Sequence, residues 1–62
     1  MDKLYTVHST LMYLGFPYHS VSVIHRNQDL GYHVIFSKEV IDKVSDDVKS
    51  FLKLNEFTFS FV

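Results

Sequence analysis

The sequence contains no cysteine and no tryptophan, and it has one proline and two glycines among its 62 residues. Without cysteine, the chain can form neither a disulfide framework nor a thiolate metal site. Two glycines are too few for a glycine-rich phosphate-binding loop. No run approaches the ~20 apolar residues of a membrane-spanning helix and no secretory signal is recognisable, so we expect a cytoplasmic protein without membrane contact.

The apolar content is high for so short a chain. Hydrophobic residues make up 47% of the sequence and aromatic residues 16%. A chain of this length buries only about 60% of the surface that it exposes when unfolded, so part of the apolar surface must stay outside. We expect one domain over residues 1–62 that is stabilised by packing alone and has apolar surface left for an interface.

Charge is distributed unevenly along the chain. The net charge of −1 indicates no general attraction to nucleic acid or anionic membranes. Between Lys3 and Arg26 there is no Asp, Glu, Lys or Arg, and eleven of the thirteen charges lie in residues 26–56. Greater burial of the first third would explain this gap. Contact of that third with a partner is the functional interpretation, because a short helix cannot bury all of its faces.

A first helix is predicted over residues 4–14. Its apolar residues share one helical stripe: Leu4, Val7, Leu11 and Leu14. Asp2 can cap the start, and the Gly15-Phe16-Pro17 segment is a stop signal with glycine in the left-handed position. The alternative makes residues 4–8 a strand, which would give a miniature ferredoxin-like βαββαβ fold.

A β-hairpin is predicted next, with strands over residues 18–26 and 32–37 joined by the NQDLG segment. The apolar side chains that must share the core face are Val21, Val23, Val34 and Phe36. This register needs an even-length loop such as Gln28–Gly31 and places His25 and His33 on opposite faces of the sheet. It leaves Ile24 beside Ile35 or His33 on the outer face.

A second, strongly amphipathic helix is predicted over residues 38–54, with Ser37 as its N-cap. The final segment, residues 57–62, alternates three phenylalanines with Thr58, Ser60 and Val62. That alternation is typical of a strand that covers a core with one face. The segment carries no charge, glycine or proline, so a free edge there would favour strand addition or a homodimer through Phe57–Val62.

The order of the strands is inferred from their apolar faces. The first hairpin strand has apolar residues on both faces, with Val21 and Val23 on one face and Ile24 on the other. We therefore place this strand in the centre of the sheet. The last strand then pairs antiparallel with it. The prediction is an α+β domain of element order α-β-β-α-β, whose three-stranded antiparallel sheet has strand order 2-1-3 and is covered on one face by two helices.

Four histidines form the only group with evident chemical potential: His8, His19, His25 and His33. No metal-ligand spacing is present, so we interpret them as structural or solvated and predict no metal or other cofactor. Because histidines titrate near neutrality, they predict a stability that changes between about pH 5.5 and 7.5. The sequence also has no nucleophile elbow and no paired carboxylates, and we expect no enzyme activity.

A small RNA- or DNA-binding module is the alternative function. The predicted open face of the sheet carries no stacking aromatic residues. Its residues are Ser20, Ser22, Ile24, Ile35, Thr58 and Ser60. The six basic residues are scattered among acidic ones instead of forming a stripe.

Protein binding is the favoured function. We expect a small non-enzymatic regulator or inhibitor that occupies the surface of a larger protein; free-standing proteins of this size are frequent products of phages and other mobile elements. The uncharged back of the first helix and a small apolar patch on the open sheet face are the expected contacts. The predicted contact residues are Tyr5, Met12, Tyr13, Ile24, Ile35 and Val62.

Overall fold

The computed structural model describes residues 2–27 and 31–62 as a small, compact α+β fold with a mixed sheet. Two α-helices and three strands follow one another along the described chain. They are α1 (Lys3–Tyr13), β1 (Val21–Asn27), β2 (Gly31–Phe36), α2 (Asp46–Leu54) and β3 (Phe57–Phe61). Short 3₁₀ segments occupy Tyr18–Ser20 and Lys38–Lys43.

Helix α1 begins and ends where its capping residues predict. The side chain of Asp2 accepts a hydrogen bond from the amide of Leu4 at 3.0 Å. At the other end, the amides of Gly15 and Phe16 donate to the carbonyls of Met12 and Leu11, and Gly15 has φ +100°. These two bonds form a Schellman motif, in which glycine is favoured because it adopts positive φ without steric cost. Residues 4–8 are therefore helical, and the βαββαβ alternative is wrong.

The first hairpin strand starts later than predicted. Residues 18–20 form a 3₁₀ turn instead of a strand, because both the amide and the hydroxyl of Ser20 donate to the carbonyl of Pro17, at 3.0 and 2.6 Å. Side-chain bonds of this kind compete with strand pairing. Ser20 is buried, and the prediction that it lies on the open face is wrong.

The predicted distribution of side chains over the two faces of the hairpin is confirmed. Val21 pairs with Phe36 and Val23 with Val34, so their side chains lie together on the core face. Ile24 pairs with His33 on the other face, and His25 pairs with Tyr32, which places the two histidines on opposite faces as predicted. The register shifts between His25 and Asn27. Residues 28–30 of the predicted loop Gln28–Gly31 lie outside the described residues.

The strand order differs from the prediction. The sheet order is β1-β2-β3, with β1 and β2 antiparallel and β2 and β3 parallel. The segment containing α2 carries the chain back to the end of the sheet where β2 begins, and β3 therefore pairs parallel to β2 as in a βαβ unit. The ring of Tyr32 stacks on Phe57 at 5.1 Å, and that of Phe36 lies 5.7 Å from Phe61. The order 2-1-3 and the fully antiparallel sheet were wrong.

The second predicted helix is two segments. Ser37 caps only the 3₁₀ segment, accepting from the amide of Glu39 at 3.4 Å. Ser45 caps α2, accepting from the amide of Val48 at 3.4 Å, and Asp46 and Asp47 follow in the first turn. Acidic residues in a first turn are stabilised by the helix dipole. The Ser-Asp-Asp sequence thus starts a new helix and interrupts the one predicted over residues 38–54.

One hydrophobic core joins all these elements. Both helices contribute to it, and they cover the same face of the sheet, since the buried apolar strand residues all lie on that face. α1 contacts β1, and α2 contacts β3. The buried apolar residues are Val7, Leu11, Phe16, Val21, Val34, Phe36, Val40, Val44, Val48, Leu52 and Phe57. The fold therefore leaves one face of the sheet, and the outer edges of β1 and β3, without a covering element from the described residues.

Candidate functional site

A groove lies between α1 and the free edge of β1, and we call it the β1 groove. It is open to solvent and has a volume of about 560 Å³. The described residues that line it come from the start of α1, the 3₁₀ turn before β1 and β1 itself. They are Asp2, Leu4, Tyr5, His8, Tyr18, His19, Val21, Ser22, Val23 and Ile24.

The two walls of the β1 groove are held by short-range interactions. On α1, Tyr5 projects into solvent with 69% of its surface exposed. The 3₁₀ turn after Pro17 brings Tyr18, which is 76% exposed, against the helix, where its ring meets that of His8 edge-on at 5.4 Å. His19 lies 2.8 Å from the carboxylate of Glu39. Aromatic side chains, each with a polar end, therefore stand on both sides of the groove.

The backbone of β1 presents hydrogen-bonding groups to this groove. The amide of Ser37 donates to the carbonyl of Ser20 at 2.8 Å, which shows that Ser20 faces β2. Main-chain groups alternate in direction along an antiparallel strand, so Ser22 and Ile24 also face β2. The amide and carbonyl of Val23, together with the carbonyl of Val21 and the amide of His25, consequently face away from the sheet. The amide of Val21 is already bonded to the carbonyl of Tyr18.

The β1 groove carries almost no charge. Among the described residues that line it, Asp2 is the only one with a formal charge at neutral pH, and it lies at one end. Apart from Asp2, the residues that line the groove all fall within the charge gap between Lys3 and Arg26 in the sequence. A surface of tyrosine and histidine with a single carboxylate at one end, beside main-chain groups that face away from the sheet, suits an extended polypeptide better than a charged ligand.

His33 forms a second polar cluster on the opposite, open face of the sheet. The Nδ1 atom of His33 lies 2.6 Å from Oγ1 of Thr58, and Nε2 lies 2.9 Å from Oγ of Ser60. The hydroxyl of Thr58 donates to the carbonyl of Tyr32 at 3.3 Å. We therefore assign the proton of a neutral His33 to Nδ1, which donates to Thr58, while Ser60 donates to Nε2.

The pKa of His33 is lowered in this environment. Burial lowers the pKa of His33 below its ordinary value of 6.5, and the positive charge of Arg26 lowers it further. Only 8% of the residue is exposed, although it lies on the open face, because Thr58 and Ser60 of β3 flank it. The sequence-based strand order put β3 beside β1, and the cluster could not be foreseen for that reason.

We expect the stability of the protein to rise with pH in the window below pH 6.5. There the unfolded chain binds a proton at His33 that the folded protein binds only at lower pH, so protonation favours unfolding. The stabilisation is complete above pH 6.5 and is lost as the pH falls towards the lowered pKa of His33. Urea unfolding at a series of pH values would measure this slope.

The contribution of His33 is separated from that of the other histidines by two variants. His33→Gln should flatten the pH dependence, whereas His25→Gln, at an exposed position on the other face, should leave it unchanged. Equal slopes for the wild type and His33→Gln would show that His33 is not the responsible group.

The predicted contact residues lie in three different places. Tyr5 and Ile24 line the β1 groove. Met12 packs partly against the core, and Tyr13 is 89% exposed at the end of α1, outside the residues that line the groove. Ile35 and Val62 lie on the open face, where the pairings place Ile24, Ile35 and Val62 on one diagonal across the sheet.

Sequence reasoning did not select Tyr18, His8, His19 or Val23 as contact residues, although all four line the β1 groove. The available signal was the charge gap, which includes every one of them. Within the described ranges, no three histidine or acidic side chains converge as metal ligands. Neither described helix is long and apolar enough to cross a membrane.

Comparison with known proteins gives no relative: no family model, no curated protein and no solved structure matches the chain.

Proposed function

We propose that this protein acts by binding a larger protein through the β1 groove, as a small regulator or inhibitor without enzymatic activity. The observation that carries the proposal is the combination of a tyrosine-lined groove of almost no charge with the outer edge of β1. Tyrosine is enriched in the cores of protein interfaces because it contributes a large apolar area together with a hydroxyl. Occupancy of the partner's surface is then the activity.

An extended segment of the partner is the ligand that fits this groove. Added beside β1, it would pair with the outward amide and carbonyl of Val23, the carbonyl of Val21 and the amide of His25. Strand addition of this kind derives affinity from main-chain hydrogen bonds and specificity from side-chain contacts. Its side chains would meet Tyr5 and Tyr18 on the walls, and the lack of charge there favours an uncharged segment.

Alanine at Tyr5 and Tyr18 is expected to weaken partner binding by at least about tenfold while the free energy of unfolding changes by less than ~0.5 kcal/mol. Both side chains are largely exposed in the free protein, so their loss removes contact area and leaves the core intact. The double variant Tyr5→Ala/Tyr18→Ala and the wild type would be compared by tagged purification from expressing cells, followed by titration of the recovered partner.

Tyr13→Ala is the matched control, because Tyr13 is an exposed tyrosine on the same helix outside the groove. It should bind like the wild type. Equal binding by the double variant would refute the β1 groove as the contact surface. Each capture would be repeated with nuclease, and recovery that depends on nucleic acid would overturn protein binding in favour of the RNA- or DNA-binding alternative.

No specific observation favours that alternative. On the open face of the sheet, the described residues include no aromatic side chain other than His33 on which a base could stack. Of the basic residues, Lys3 donates to the carboxylate of Glu56 at 3.1 Å. The nuclease test described above therefore decides whether the nucleic-acid hypothesis is retained.

A further inference from the structure

The free edge of β3 presents main-chain groups in a regular row. The amide of Val62 donates to the carbonyl of Phe36 at 2.9 Å, and its carbonyl accepts from the amide of Lys38 at 3.0 Å. Val62 therefore faces β2. Because successive residues of a strand face opposite sides, the amides and carbonyls of Phe57, Phe59 and Phe61 face away from the sheet.

This edge lacks the features that protect edge strands from pairing. Natural edges are commonly protected by charged side chains, proline or a bulge. Residues 57–62 contain no charged residue and no proline, and the register of β3 with β2 is unbroken. The edge of β1 differs at its two ends, since its register shifts near Arg26 and the amide of Val21 is already bonded, and only the short stretch between them faces the β1 groove.

The side chains along β3 also have surface to bury. Phe59 and Phe61 are only partly buried, although they pack against the core, and their rings meet edge-on at 6.0 Å. Val62 is 70% exposed. Two copies of this edge would bring apolar side chains together without placing like charges opposite each other, so the edge is chemically complementary to itself.

We infer that two copies of the chain pair through β3, antiparallel and across a two-fold axis, to form one continuous sheet. With Phe59 opposite Phe59 of the partner subunit, Phe57 lies opposite Phe61 of the partner subunit. All the outward groups of both strands are then satisfied, in about six main-chain hydrogen bonds. An axis perpendicular to the sheet keeps the helices of both copies on one face. On this helix-covered face, the rings of Phe59 and Phe61 become more deeply buried.

This dimer does not depend on the proposed function. The β1 groove lies at the opposite edge of the sheet, so each subunit of the dimer would keep its own groove open. Failure of the dimer would leave the groove proposal standing, and failure of the groove would leave the dimer standing.

The test is sedimentation equilibrium of the untagged protein over a range of concentrations. We expect a mass of twice the 7.3 kDa chain, with a dissociation constant at or below about 10 µM. Chemical synthesis of the chain allows the amide of Phe59 to be N-methylated, which removes one outward donor and retains the phenyl side chain. This variant should dimerise at least about tenfold more weakly.

N-methylation of Val23 is the matched control, since it modifies an outward amide on the other edge, and it should leave the dimer unchanged. A wild type that stays monomeric up to about 100 µM would overturn the inference. So would equal dimerisation of the two methylated chains. If the Phe59 variant does not fold, amide hydrogen exchange of the wild type provides the test. Exchange of the backbone amides of Phe59 and Phe61 should slow as the protein concentration rises. Exchange that does not depend on concentration would refute the pairing.

Discussion

Replacement of Phe36 by alanine is expected to unfold most of the protein at room temperature. The side chain of Phe36 is fully buried, and its ring lies 5.5 Å from that of Phe16 and 5.7 Å from that of Phe61. Truncation of a buried phenylalanine costs ~3–5 kcal/mol. A single core in a chain of this size supplies only ~3–5 kcal/mol, so this one change removes most of the stability. Circular dichroism and urea unfolding would measure the loss.

Phe61→Ala is the matched control, because Phe61 pairs with Phe36 on the neighbouring edge strand and is only partly buried. We expect about half the loss that Phe36→Ala causes, since burial of the removed atoms is less complete. Phe36→Leu gives a measurable intermediate if Phe36→Ala has no folded state. A larger loss at Phe61 than at Phe36 would mean that β2 is not the central strand, as in the sequence-based order 2-1-3.

The elements whose signals are local were predictable from the sequence. The cap at Asp2 and the glycine stop at Gly15 depend only on residues within one turn of the helix, and both are confirmed. The faces of the hairpin follow from alternation, since a slip of one residue would expose Val21 and Val23. These features are consequences of backbone geometry and do not depend on the rest of the fold.

The strand order was not predictable in the same way. Both hairpin strands have apolar residues on two faces, with Ile24 in β1 and Ile35 in β2, and the sequence pattern alone does not choose between them. The choice depends on the crossover through α2 and on the rings of β3, which pack against those of β2. In the structure Val34 and Phe36 are fully buried, whereas Ile24 is 38% exposed.

The sequence contains a signal for the division of the second predicted helix, but the regular apolar spacing across both segments made it easy to miss. Val40, Val44, Val48 and Leu52 repeat at helical spacing and all are buried, so the stripe continues through both segments. Ser45 followed by two acidic residues is nevertheless a helix start, because serine caps amides and acidic side chains favour the first turn. The apolar repeat is compatible with one continuous helix and with two segments. The local capping residues decide for two segments.

The candidate site was only partly predictable. The charge gap indicated the surface, and Tyr5 and Ile24 were selected within it. Tyr18 and His19 were assigned to a strand, because the 3₁₀ turn that places them on the groove wall depends on bonds from Ser20 to Pro17. A groove is formed by elements distant in sequence, and its walls cannot be assembled before the packing of α1 on β1 is known.

Leu52→Ala is expected to produce the second large loss, ~2–5 kcal/mol of unfolding free energy. Leu52 is fully buried on α2, a helix of nine residues. Helices this short are not stable alone in water, so α2 is held by the side chains that it buries. Because α2 carries the chain from β2 to β3, its loosening should also release β3 from the sheet. Urea unfolding would give the total loss, and amide exchange would show whether β3 opens first.

Leu54→Ala provides the comparison within the same helix. Leu54 is 84% exposed, and its truncation should change stability by no more than ~0.5 kcal/mol. The two variants remove the same atoms from positions two residues apart, so the difference between them reflects chiefly the difference in burial. Equal losses would place the buried stripe of α2 on another face. The inferred dimer requires an ordered β3. A destabilised but folded Leu52→Ala chain should therefore self-associate more weakly than Leu54→Ala. Such a result would show that the packing of α2 controls the order of the β3 edge.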